Sequence, residues 1–205
     1  MTEVCGSVGA RRTQLLQLAG RGEWTALEQI LHALEKAEAD LSQVDEDSGL
    51  SLLMIAVQEN RLSIVERLLE LEVSPDEKAK DGRTALHIAA AHSTNNIVKI
   101  LARKADPNTP GGPKAQLPLH YAASRPNGSL DVVHTLLNVS NKDARLTPDE
   151  DGCIPLVLAV KAGNFGIVKE LLSDLSESQL QAQTTVRTAG LSLTLCRLGL
   201  SLQYL

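Results

Sequence analysis

The chain has 205 residues, with 20 Lys and Arg against 25 Asp and Glu and a formal net charge of −5, so its bulk charge does not draw it to nucleic acid or anionic lipid. At this length one or two globular cores fit and a large multidomain machine does not. Aromatic residues make up 2% of the chain and apolar residues 43%, so any core is built from Leu, Ala, Val and Ile, and of these Leu and Ala favour helix.

Near the N-terminus, Leu15-Leu16-Gln17-Leu18 is a short apolar run followed by Arg21 and Glu23, a poor signal peptide. Apolar runs elsewhere are broken early, as where Arg67 and Glu70 flank Leu68-Leu69, well short of the ~20 residues that cross a bilayer. The expectation is a cytoplasmic location and no transmembrane segment. Cys5, Cys153 and Cys196 are odd in number and far apart, which fits reduced thiols better than a disulfide framework. On that reading the sequons at Asn127-Gly128-Ser129 and Asn138-Val139-Ser140 are accidental.

From residue 13 one template recurs. Its weakest copy is TQLLQLAGRGEWTALEQIL from Thr13, followed by DSGLSLLMIAVQENRLSIVERLL from Asp47 and KDGRTALHIAAAHSTNNIVKIL from Lys80. QLPLHYAASRPNGSLDVVHTLL then starts at Gln116, with Pro126-Asn127 as an apparent insertion, and DGCIPLVLAVKAGNFGIVKELL starts at Asp151. The equivalent positions Thr13, Ser51, Thr84, Leu117 and Ile154 are separated by 38, 33, 33 and 37 residues, a period of about 33 with loop insertions. The stretch Val139 to Glu150 has a loop-like composition.

In the third copy Leu86, Ala89 and Ala90 fall at spacings of 3 and 4, which predicts one apolar face on a short helix. After a turn over His92 to Asn95, Ile97, Val98, Ile100 and Leu101 predict a second helix with a wider apolar face. Two short helices cannot bury both faces alone, so neighbouring units must stack. Asp81-Gly82 and Asp151-Gly152 mark where hairpin fingers reverse, since glycine tolerates positive φ.

The string Asp-Gly-x-Thr-x-Leu-His-x-Ala-Ala at Asp81 to Ala90, with its tandem copies, resembles the ankyrin-repeat family over about residues 10–175. The implied fold is all-α, an ankyrin-repeat solenoid of about five stacked helix–turn–helix units with short hairpin fingers. Residues 1–12 would be an N-terminal extension, residues 13–183 the repeat domain with units near 13–44, 47–79, 80–112, 113–147 and 150–183, and 184–205 a non-repeat tail. The resemblance implies that His87 and His120 hydrogen-bond within their units and order the fingers, with Leu16, Met54 and Val157 in their place elsewhere. From Asp81 to about Gln183 the chain is also similar to the first ankyrin units of the NompC, or N-type transient receptor potential, family of mechanosensory channels. That implies the distal end of a cytoplasmic ankyrin spring that contacts microtubules, without the pore.

Little in the chain points to chemistry. His32, His92 and His134 lack metal-site spacing, and Cys153 lacks a partnering His motif, so it reads as a small half-buried residue. Asp45-Glu46-Asp47 and Asp149-Glu150-Asp151 lack the calcium-loop pattern and read as solvated charges. Gly111-Gly112-Pro113, with no Gly-Lys-Ser/Thr after it, reads as a turn. Ser74-Pro75, Thr109-Pro110 and Thr147-Pro148 offer proline-directed phosphorylation in exposed connections. The expectation is no catalytic residue, no metal and no cofactor. What remains is a protein-binding groove, with His92, Arg125 and Lys161 on helices and Lys80, Arg83 and Lys114 on fingers. The partner is a protein, with acidic tubulin as the candidate that the channel resemblance implies, although the net charge gives it no support; nucleic acid is not expected.

In the tail, Leu191, Leu193 and Leu195, then Leu198, Leu200 and Leu202, alternate like a strand, with only Arg187 and Arg197 charged. The tail therefore makes a poor polar cap and reads as disordered or loosely packed, the alternative being that it folds back over Leu171, Leu172 and Leu175 as an improvised cap. It makes a truncated product of a longer array, without independent function, the second reading of the chain; an enzyme is a third.

Overall fold

The computed structural model describes residues 4–34, 41, 44, 45, 49–92 and 94–173, with side chains from residue 13 onward. The readings placed on residues 184–205 lie outside these. Among the described residues there are ten α-helices: α1 (Val4–Arg21), α2 (Trp24–Ala33), α3 (Leu52–Gln58), α4 (Leu62–Glu70), α5 (Ala85–His92), α6 (Asn95–Leu101), α7 (Pro118–Ala123), α8 (Leu130–Val139), α9 (Pro155–Ala162) and α10 (Phe165–Leu172). Extended pairing among them is confined to two isolated antiparallel bridges, Val44 with Ser51 and Gly111 with Gln116. The all-α helical-repeat expectation holds.

The chain divides into two compact units, Met1–Asp106 and Pro107–Leu205. In the first, α1, α3 and α5 pack in succession as a row of first helices, and α2, α4 and α6 as a parallel row of second helices. In the second, α7 packs on α9 and α8 on α10, each first helix also lying on its own partner. Leu86 and Leu119 are buried as their spacing required.

The relative width of the apolar faces is the reverse of the sequence expectation. On α5 every residue from Ala85 to Ala90 is buried, whereas on α6 only Ile97, Val98 and Leu101 are. α5 is covered by its own second helix α6 and by the preceding first helix α3, so small side chains are needed nearly all round it. A second helix keeps one side in water, and its apolar stripe is the narrow one.

Local signals set the helix ends. Ser51 Oγ accepts from Met54 N–H at 3.4 Å and Asn164 Oδ1 from Ile167 N–H at 3.3 Å, satisfying donors that a helix start leaves orphaned. α1 runs through Thr13 without a break. The turn between α7 and α8 is the longest within a helix pair and carries the inserted Pro126-Asn127. Gly128 in that turn is tightly enclosed, since a Cβ there would lie 2.9 Å from Ile167 Cδ1 and 3.0 Å from the Ala122 carbonyl. The connection after α8 is not all loop: Lys142–Arg145 form a 3-10 helix packed on α8.

Candidate protein-binding surface

The fingers begin from glycine. In the first unit Gly49 (φ 67°) and Gly82 (φ 83°) take up the left-handed backbone where the chain reverses, and hydrogen bonds close each turn: Asp45 N–H to Leu50 O at 2.8 Å, Ala79 N–H to Arg83 O at 2.8 Å. A Cβ on Gly49 would run into the stem of Lys80. Arg83 Nε donates to Asp81 Oδ2 at 2.6 Å. Burial raises the Asp81 pKa, but the Arg83 backbone and guanidinium bonds outweigh it and hold the carboxyl below its ordinary value. At the base of this finger His87 Nδ1 accepts from Thr84 N–H at 3.1 Å, so the ring fixes the start of α5.

In the second unit two fingers are joined side by side. Gln116 Nε2 donates to Asp149 Oδ2 at 2.7 Å, Asp149 Oδ1 accepts from Cys153 N–H at 2.7 Å, and Glu150 N–H donates to Lys114 O at 3.0 Å. Lys114 Nζ meets Asp151 at 2.6 Å, which raises the lysine pKa. His120 Nδ1 accepts from Leu117 N–H at 3.1 Å, and Nε2 lies 3.2 Å from Cys153 O. With Nδ1 accepting, the proton sits on Nε2 and the ring is neutral. Nδ1 thus bonds within its own repeat, while Nε2 reaches to the finger of the next repeat.

Asp149 corrects the sequence reading. It is not a solvated charge but 6% exposed. Burial raises its pKa, yet the bonds from Gln116 and Cys153 N–H, with the nearby His120, leave it below the ordinary carboxylate value.

Paired helices joined by glycine fingers at a period near 33 residues are matched by the family model for ankyrin repeats, over residues 15–111 and 110–184. The chain belongs to the ankyrin-repeat family. It is 38% identical over 126 residues to tyrosine-protein kinase Shark of Drosophila melanogaster, covering 60% of this chain and 13% of that protein. It is 32% identical over 117 residues to cyclin-dependent kinase inhibitor 2A of Monodelphis domestica, covering 57% and 66%. With neurogenic locus notch homolog protein 2 of Homo sapiens it shares 30% over 145 residues, covering 70% and 5%. The chain thus spans less than two thirds of each of these relatives. As an ankyrin-repeat protein it carries a protein–protein interaction scaffold.

The ankyrin units separate the six residues expected to line a groove. In the first unit Lys80 and Arg83 share one finger, while His92 is exposed at the far end of α5. In the second, Lys114 lies in a finger turn, Lys161 in the last turn of α9, and Arg125 lies past the end of α7 rather than on a helix. Counted from the repeat marker, His92 and Arg125 are equivalent, but Ala162 holds the matching place and Lys161 stands one position before it. Arg83 and Lys114 are held by acids of the fingers, and Lys161 Nζ donates back to Cys153 Sγ at 3.5 Å.

Several structural cations and apolar groups carried no sequence motif. Arg67 donates to the carbonyls of Leu31 (3.1 Å) and Leu34 (2.8 Å), and Lys104 to that of Leu69 (2.7 Å), so each caps the C-terminal end of a second helix in the preceding pair. Arg61 lies 5.0 Å over the ring of Trp24. Phe165 and Leu130, at equivalent first positions of α10 and α8, are 57% and 45% exposed. Among the described residues no group of three or more His, Cys, Asp or Glu could hold a metal ion, and no helix is long and apolar enough to cross a membrane.

Proposed function

We propose that this chain is a non-catalytic, cytoplasmic scaffold that binds a protein partner through its fingers and the exposed ends of its first helices. The observation that carries the reading is the bracing of the fingers: Asp149, Gln116, Cys153 and His120 tie adjacent finger backbones together. An exposed side chain such as Lys114 then projects from a fixed backbone, and a partner does not have to order that backbone on binding.

The finer reading is that the chain corresponds to the distal cytoplasmic ankyrin region of a mechanosensory channel and that its partner is the microtubule. It rests on the resemblance of residues 81–183. Lys80 and Arg83 on a first-unit finger and Lys114 on a second-unit finger are the basic groups proposed for it, with the ion pairs to Asp81 and Asp151 moderating the field of Arg83 and Lys114. Charge reversal of all three should weaken co-sedimentation with microtubules at low salt and leave the thermal unfolding midpoint within a few degrees. Unaltered pelleting would remove tubulin as the partner of these residues.

A further inference from the structure

The three Ser/Thr-Pro pairs are not equivalent in the fold. Thr147 is half-buried and its Oγ1 donates to Asp143 O at 2.9 Å, and Thr109 is half-buried in the approach to a finger. Ser74 is exposed, outside any helix, between the buried Val73 and the turn at Pro75-Asp76. Leu71, Val73 and Ala79 are buried on either side of it, so the segment has fixed ends, with Ser74, Asp76 and Lys78 exposed and Pro75 and Glu77 half-buried between them. The proline at the next position leaves no N–H there to bond elsewhere.

The same segment joins two repeats. Asp76 Oδ1 accepts from Asp106 N–H at 2.9 Å, and Asn108 Oδ1 does the same for Asn141 N–H at 3.0 Å in the second unit. An Asp or Asn six or seven residues past the end of one second helix thus holds the backbone of the loop after the next second helix. Around Ser74 the charges of the segment are Glu72, Asp76 and Glu77 against Lys78.

We propose that Ser74 is a phosphorylation site for a proline-directed protein kinase, and that its phosphate loosens the bond between Asp76 and the Asp106 backbone. In the transfer, Ser74 Oγ forms a new P–O bond to the γ-phosphorus of ATP and the bridging bond to the β-phosphate breaks. ADP leaves, and the hydroxyl proton passes to the carboxylate base of the kinase. The product adds about −1.5 to −2 charges in a stretch that already carries Glu72, Asp76 and Glu77. Repulsion falls on Asp76, the carboxylate that makes the tie.

The test is incubation of the folded full chain with Mg-ATP and a purified proline-directed kinase of the mitogen-activated class, read by peptide mass spectrometry and then by hydrogen exchange. The expected result is one phosphate per chain at Ser74, none after Ser74→Ala, and faster exchange of the Asp106 amide in the phosphorylated protein. Ser74→Ala, at an exposed site, should keep the unfolding midpoint of the parent. No incorporation, incorporation at Thr109 or Thr147 instead, or incorporation only after urea unfolding would overturn the site. Unchanged exchange at Asp106 would overturn the coupling. None of these readouts depends on the identity of the binding partner, so the scaffold reading stands or falls separately.

Discussion

His120 and Asp149 concentrate the polar energetics of the second unit in two side chains. Burial holds the His120 pKa below its ordinary value of about 6.5, with Asp149 and the carbonyl of Cys153 restoring part of the loss. As pH falls the unfolded chain therefore takes up the proton first. The contribution to stability is full above about 6.5 and declines below it. Protonation would also place a hydrogen on Nδ1, facing the Leu117 N–H that it now accepts. The urea midpoint should fall between pH 7 and pH 5, and His120→Ala, less stable at pH 7, should show a smaller fall over that interval. Asp149 acts in a separate window: its folded pKa is lowered, so its contribution is present above about 4 and is lost as pH drops through the folded value. Asp149→Ala leaves Gln116 and Cys153 N–H without their acceptor, and a cost of about 1–3 kcal/mol is expected by denaturation at pH 7. The sequence marked His120 through its place in the repeat. It gave no sign of Asp149, because an Asp in an acidic turn looks solvated until the neighbouring finger is known to lie over it.

At the scale of the helices, what decides the outcome is which side chains sit between two first helices. Leu86 and Leu119 are 0% and 1% exposed, and each contributes about 1.5–3 kcal/mol by transfer from water. Truncation to Ala adds the cavity left behind, so Leu86→Ala and Leu119→Ala should each cost about 2–5 kcal/mol. An unchanged denaturation midpoint in either would show that the residue is not core. The helix pairs, the glycine fingers and the inserted Pro126-Asn127 were all legible in the spacing of Leu, Ala and Gly. The width of each apolar face was not, because the spacing count on α5 marked Leu86, Ala89 and Ala90 as one face, whereas Ala85, His87 and Ile88 are buried as well. Capping by Arg67 and Lys104 was hidden for a different reason: a cation that bonds a carbonyl some 35 residues earlier looks like any surface charge.

For the molecule as a whole, the net charge of −5 describes the chain poorly, since Arg83 and Lys114 are held by acids in the fingers. The row of six residues read from the sequence resolves into finger groups and helix-end groups within their units. The repeat named the scaffold because stacking depends on a few small and apolar residues at fixed spacing; a binding specificity depends on the exposed positions, which the repeat leaves unconstrained.

The central claim is that no helix pair buries its own core and that each pair is stable through its neighbour. Hydrogen exchange over α5 in Leu53→Ala tests this most directly, since Leu53 is buried on α3, and α3 packs against α5 within the first unit. Amide exchange in α5 should accelerate along with that in α3. Protection of α5 unchanged from the parent protein, with α3 alone loosened, would contradict it.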